Sequence, residues 1–430
     1  MEALLEFLSF QDPSVRMVTL GAVILTASSA LVGSFTFLKK KALIGDAVAH
    51  AVLPGVCLAF LLSGEKNPLL LIIGAFITGW LSLNIIDFVT NESKIKEDTA
   101  IALVLSVFFG FGILLLTFIQ HGDYAEQSGL DHFLFGQAAS LVGEDLIIFL
   151  SVGLLLIALI LLFFKELTLI SFDRQFAQTS GLPVKWLELL LTSMTVLAVV
   201  IGIQAVGVVL MAAMLITPPA AARYWTDYLP RMVLLAAIFG AFSGFSGALI
   251  SYVSPAMPTG PWIVMVATTI ALLSILFAPA RGIIFKMKRQ QENQLKILTE
   301  NILKSFYHLG QKHQDMKHRY SFDEIHSIRP SIPKPRLKKG LRVLEKEGFL
   351  RKKENSYRLS AEGTEKGKRV VKLHRLWEVY LTEYLYLDPD HVHDSAETME
   401  HVITPELEKK LEEMLNYPDR DPHDEEIPYT

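Results

Sequence analysis

The sequence predicts a mainly α protein in two parts: a polytopic transmembrane helical bundle of eight or nine spans, then a soluble winged-helix unit that continues into long helices. Three observations carry this. The chain is 430 residues long and 51% hydrophobic, too apolar and too long for one ordinary soluble domain. Its charge is segregated: of 40 Lys+Arg only about a dozen, and of 12 His only His50, His121 and His132, precede residue 281. The formal net charge of −4 is therefore an average over two unlike parts. Past Arg281 the long apolar runs give way to short amphipathic segments.

Apolar runs occupy residues 15–38, 47–63, 68–90, 99–119, 145–164, 186–203, 205–222, 229–252 and 261–279. Most reach the roughly 20 residues needed to cross a hydrocarbon core about 30 Å thick. Backbone polar groups in lipid must be paired within the segment, so these runs are expected to be helices. Period-two alternation is absent, which argues against a membrane barrel. Gly202, Gly207, Pro218 and Pro219 make 204–222 a candidate for a broken or re-entrant helix.

Lys39, Lys40 and Lys41 end the first run, Lys94 and Lys96 follow the third, Lys165, Arg174 and Lys185 follow the fifth, and Arg281 follows the last. In simple alternation all fall on one side, which places that side and the C-terminus in the cytoplasm. The loop 120–144, free of Lys and Arg, then faces outward with His121 and His132. The acidic opening MEALLEFLSFQDPS lacks a basic region, so no cleavable signal peptide is expected. Cys57 is the sole cysteine, which excludes an internal disulfide framework and a Cys-based zinc site within one chain.

After Arg281, residues 283–296 read as a charged helical linker and 294–310 as the next helix. Residues 322–328 and 333–348 form a helix pair around a turn at 329–332, followed by a hairpin near 355–356 and long helices over 362–387 and 395–416. A helix pair followed by a two-stranded wing is the winged-helix order.

Three constellations carry chemistry. Asp46 and His50 lie four apart, on one helical face within an apolar segment. Ionisable groups in a span are costly and mark function by default, and a carboxylate with an imidazole suits Mn²⁺, Zn²⁺ or Fe²⁺. The plain alternative makes Asp46 a helix cap and His50 a packing residue. Lys334, Arg336, Lys338, Lys339 and Arg342 give a basic helix that suits DNA phosphates, anionic lipid headgroups or simply solvent. Last, His374 and Glu378 are spaced i, i+4, and His393, Glu397, Glu400 and His401 fall within about two turns, as a divalent-cation ligand set or an exposed charged helix. No GxxxxGK[ST] P-loop occurs.

The segment ALIGDAVAHAVLPGVCLAF resembles the one that marks permeases of the ABC-type manganese, zinc and iron importers. DHFLFGQAASL, FDRQFAQTSGLPVKWLELLL, VLMAAMLITPPAAARYWTD and PTGPWIVMVAT follow in the family's order, so the resemblance covers about residues 15–282. It implies a metal path through Asp46 and His50 and a cytoplasmic helix holding Asp173, Arg174 and Gln178 against an ABC ATPase subunit. It also implies an extracytoplasmic metal-binding protein, a permease homodimer, and a place in the bacterial plasma membrane.

Residues 296–423 resemble the iron- and manganese-dependent repressors related to the diphtheria toxin repressor, through LSAEGTEKGKRVVKLHRLWEVYL, VHDSAETMEHVITPELEKKLEE and YPDRDPH. That resemblance divides the soluble part into a winged helix (297–360) and a metal-binding and dimerisation domain (361–430), with His374, Glu378, His393, Glu397, Glu400 and His401 as metal residues. The first helix departs from the family: Asn301 and Lys304 stand where an acidic or Met ligand is usual, so the site is partial, weaker, or built for one ion instead of two. The favoured expectation is a Mn, Zn or Fe importer permease with a metal-sensing domain; a membrane-tethered transcription regulator and an ATP-independent metal transporter are the alternatives.

Overall fold

The structure is a computed structural model that describes all residues except 1, 42, 66, 123–142, 255–256 and 430. The segment DHFLFGQAASL and His132 lie outside the described residues. The chain divides into two compact units, Met1–Phe285 and Lys286–Thr430.

The first unit is all helix: α1 (Glu2–Ser9), α2 (Pro13–Leu38), α3 (Ile44–Ala51), α4 (Leu53–Ser63), α5 (Pro68–Glu92), α6 (Glu97–Gln120), α7 (Gly143–Leu162), α8 (Phe164–Phe172), α9 (Arg174–Thr179), α10 (Val184–Val206), α11 (Val208–Trp225), α12 (Leu229–Val253) and α13 (Thr259–Phe277). Among the described residues seven helices are long and apolar enough to span a membrane, with α3 and α4 forming one of them. An eighth is reached if α7 and α8, bent by 71° at Phe163, count together. The run at 205–222 is helix α11, set off from α10 by Gly207 at φ 90°, a conformation that favours glycine.

Helix starts follow local chemistry. Pro13 and Pro68 occupy first-turn positions where a missing N–H costs nothing, and Asp12 and Asn67 accept the next free N–H groups. Helix α2 is the centre of the bundle, packed by α7, α10, α11 and α12. Several of its hydroxyls return to its own carbonyls, as from Thr26 to Ala22 O (2.7 Å) and Ser34 to Ala30 O (2.8 Å), which keeps those polar atoms paired inside the bundle. Gly33 lets α2 meet α11: a Cβ there would sit 1.8 Å from the Leu215 carbonyl oxygen.

The second unit takes up α14 (Ile283–His313), then β1 (Tyr320–Ser321), α15 (Phe322–Ile328), α16 (Lys334–Lys346), β2 (Leu350–Lys353), β3 (Ser356–Leu359), α17 (Ala361–Leu385), α18 (His393–Met399) and α19 (Pro405–Met414). The antiparallel sheet has order β1-β3-β2, with Leu350 opposite Leu359 and Tyr320 opposite Tyr357. A capping box between Ser321 and Glu324 starts α15. Leu337, Leu341 and Leu344 of α16 join Ile302, Leu303 and Phe306 of α14 in one apolar cluster. Leu373, Leu376 and Val379 of α17 join Ile403, Leu411 and Ile427 in another.

Two boundaries differ from expectation. The linker and the following helix are one continuous helix, α14, because nothing between 283 and 313 breaks it. The expected helix over 395–416 is two, because the Thr404 side chain caps Leu407 N and Pro405 sits at the new first turn.

Candidate metal centre

In the membrane unit, α3 lies among α5, α6, α10 and α11, and all of its residues are buried except Asp46 and His50, which are half-buried. His50 Nδ1 is 2.9 Å from the Asp46 carbonyl and 3.4 Å from its Oδ1, and the ring stands edge-on to Phe109. An Nδ1–H given to the Asp46 carbonyl leaves the Nε2 lone pair for another partner. One helical turn thus presents one nitrogen and one carboxylate from an otherwise apolar surface.

Near the ends of these helices a cavity of about 290 Å³ is lined by Lys39, Lys41, Asp87, Glu97, Arg174 and Glu188 among others. Lys39 pairs with Glu188 (3.1 Å), Lys41 with Asp87 (3.0 Å) and Arg174 with Glu188 (3.0 Å). Asp173 caps α9 by accepting from Phe176 N (2.8 Å). Gln178 is exposed, and beside this short helix so are Phe172, Phe176 and Trp186.

The second unit gathers its candidates from three elements. His374 and Glu378 come from α17, His393 opens α18, and Glu400 and His401 follow it. Glu400 Oε2 accepts from Lys304 Nζ (2.7 Å) and His374 Nδ1 (2.5 Å). On the other side His374 Nε2 reaches Glu378 Oε1 at 3.1 Å, and Glu378 Oε1 reaches His393 Nδ1 at 3.0 Å. A chain of alternating basic and acidic side chains results, Lys304–Glu400–His374–Glu378–His393. Ligand atoms of His374, Glu378 and His393 all lie within 4.8 Å of one another, as do those of Glu378, Asp421 and His423. Burial opposes charge on His374, but hydrogen bonds to Glu378 and Glu400 outweigh it and raise its pKa. Burial would raise Glu378; His374 and His393 carry it down to about 2.

His401 faces α14, with Nδ1 2.7 Å from Glu300 Oε2. Its Nε2 and Glu400 Oε1, 3.5 Å apart, are buried without a hydrogen-bond partner, as is Asn301 Oδ1. Such atoms cost about 1–3 kcal/mol each when left unsatisfied, and the donor types fit a divalent cation. Glu397 is turned away to Arg329 at 2.5 Å, so the six expected residues do not form one shell. Sequence reasoning missed Asp421 and His423; the only signal was their spacing in YPDRDPH.

Helix α16 points its leucines inward and leaves Lys334, Arg336, Lys338, Lys339 and Arg342 exposed. Lys334 makes only a loose pair with Asp323 (3.9 Å).

A bundle of apolar helices around a half-buried acid–imidazole pair, continuing into a donor-rich helical unit, defines a membrane permease joined to a repressor-like domain. The chain belongs to the ABC 3 transport family, which it matches over residues 11–278. Residues 360–429 match the metal binding and dimerisation domain of iron dependent repressors. The chain is 42% identical over 395 residues to the manganese transport system membrane protein MntC of Bacillus subtilis (strain 168), covering 89% of this chain and 90% of that one. It is 43% identical over 286 residues to the zinc transport system membrane protein TroC of Treponema pallidum (strain Nichols), covering 66% and 96%. Among solved structures, PsaBC from Streptococcus pneumoniae in complex with Fab aligns with a TM-score of 0.59 at 35% identity, over 66% of this chain and 99% of that one.

Proposed function

We propose that this chain is the permease subunit of an ATP-driven importer of a divalent transition metal, Mn, Zn or Fe, in the bacterial plasma membrane. The observation that carries the reading is the Asp46–His50 pair: α3 is buried at every other residue, and these two alone offer side-chain ligand atoms. An ionisable residue at bilayer depth costs about 2.5–3.5 kcal/mol on insertion scales, so its retention there argues for a role along a cation's path. The names of the relatives, manganese and zinc transport proteins, support the cargo class. An ABC ATPase subunit would meet the surface around Asp173, Arg174 and Gln178, an extracytoplasmic metal-binding protein would deliver the ion, and two permease copies would share one pore.

The C-terminal unit would lie in the cytosol, take the imported ion at the His374–Glu378–His393 cluster and damp further transport. Mn²⁺ uptake into cells lacking other importers tests the path. Asp46→Ala and His50→Ala should each lower it by more than tenfold at unchanged membrane abundance; uptake equal to wild type would overturn the reading.

The exposed basic face of α16 favours a second activity, DNA binding by a winged helix beneath the membrane. Footprinting of the detergent-solubilised full chain on its own promoter region, with and without Mn²⁺, decides this. Protection lost in Arg336→Ala/Arg342→Ala supports it, and no protected site at moderate salt refutes it.

A further inference from the structure

Lys304 stands among groups whose chemistry suits a cation, yet its ammonium has three donors and no lone pair to offer one. Nζ lies 2.7 Å from Glu400 Oε2 and 3.0 Å from His374 Nδ1, and those two atoms are 2.5 Å apart. The Lys304 and Glu400 side chains are 4% and 0% exposed. An ammonium this deep needs a paired carboxylate, and the one it has belongs to the candidate ligand set. A first-row divalent ion binds oxygen and nitrogen at about 2.0–2.2 Å. Placed on both Glu400 Oε2 and His374 Nδ1, it would intrude on the space Nζ holds and face a like charge.

We propose that the Lys304 ammonium is a tethered cation standing in for one ion of this cluster, joining α14 to Glu400 and His374 without metal. The rest of the junction agrees. The same helix offers Glu300 to His401 Nδ1 at 2.7 Å and Lys296 Nζ to the His401 carbonyl at 3.0 Å, so protein charges also tie His401 to α14. A divalent ion is left donors that Lys304 does not reach, foremost His374 Nε2, Glu378 and His393, with Asp421 and His423 of the closing segment beside them. A metal-bridged junction would come apart under a chelator; one closed by the Lys304 ammonium would not.

The inference rests on the proposed sensing role only in taking a divalent cation as the ligand of this cluster. Its test counts Mn²⁺ bound per chain by equilibrium dialysis and metal analysis, on the detergent-solubilised full protein. Differences between variants cancel any ion held in the membrane unit. Lys304→Glu should bind one more Mn²⁺ per chain than wild type, and Lys304→Arg the same number as wild type. Lys304→Met, which removes the charge but adds no oxygen, should gain the same ion with at least tenfold weaker affinity. The Lys304→Glu melting temperature should rise on adding Mn²⁺ by more than that of wild type. Equal counts in wild type, Lys304→Glu and Lys304→Met would overturn the proposal; if Lys304→Glu is not monodisperse, Lys304→Met against Lys304→Arg decides it. Wild type binding no Mn²⁺ at all would instead overturn the sensing role, and an ion gained by Lys304→Glu would still uphold the tethered cation.

Discussion

Glu378 has both oxygens engaged, Oε1 by His374 and His393 and Oε2 towards His423 at 3.9 Å. An unfolded glutamate titrates at about 4.3, whereas this one titrates at about 2 in the fold. The stabilisation is therefore complete above the unfolded value and is lost as pH falls from there through the folded one. His374 has the opposite sign: its raised pKa gives stabilisation that is full below about 6.5 and is lost as pH rises through the folded value. A ligand must shed its proton to bind metal, so Mn²⁺ titrated into weakly buffered protein at about pH 6.5, the ordinary imidazole value above which His374 is raised, should release protons. The release should shrink in His374→Gln; no release from wild type would contradict a charged His374 in the metal-free cluster. The i, i+4 pairs Asp46–His50 and His374–Glu378 are legible in the sequence because helix geometry makes them neighbours. The Lys304–Glu400 contact is not, because it depends on how α14 packs against a turn far along the chain.

At the scale of elements, composition makes the apolar runs plain, and each is a helix where the structure describes it. The break at Gly207 falls where the glycines of 202–207 lead one to expect it, but the runs do not reveal the breaks at Val52 and Phe163 in the membrane unit or at 400–404 in the soluble one. Hydrophobicity does not register a bend within an apolar stretch, whereas Thr404–Pro405 carries a start signal that the uninterrupted charge pattern conceals. The approach of α2 to α11 gives a sharp test. Gly33→Ala drives a methyl into the Leu215 carbonyl, so the helices must part, at a cost of about 1–3 kcal/mol or more. Gly110→Ala meets nothing within 4 Å and serves as the neutral control. Thermal unfolding in detergent should show a drop of several degrees for the first and none for the second. On the short α9, where the proposed ATPase subunit would dock, Phe176→Ser should reduce its recovery with the purified permease while leaving the fold intact, since Phe176 is exposed. Undiminished recovery would place the docking surface elsewhere.

For the whole molecule, charge segregation along the chain is enough to mark the two units, and the boundary between Phe285 and Lys286 falls where the basic residues begin. The proposed feedback belongs at this scale because it needs both units. In proteoliposomes carrying the permease with its ATPase, Mn²⁺ on the side of the soluble unit should slow transport severalfold, and His393→Ala should abolish the slowing without changing the initial rate. His393 suits the test because its side chain is 60% exposed, so its removal leaves no cavity. Slowing that persists in His393→Ala would separate the cluster from regulation.

The ion pair between Arg329 and Glu397 makes a carboxylate that stands outside the cluster and the turn before the basic helix share one interaction. A divalent ion that recruits Glu397 must evict the guanidinium, and the evicted positive charge is left where α15 hands over to α16. Occupancy of such a ligand would thereby be converted into surface potential on the basic face, with no hinge and no change of fold required. Metal would act there as a rival for an anion, and its message would travel as charge.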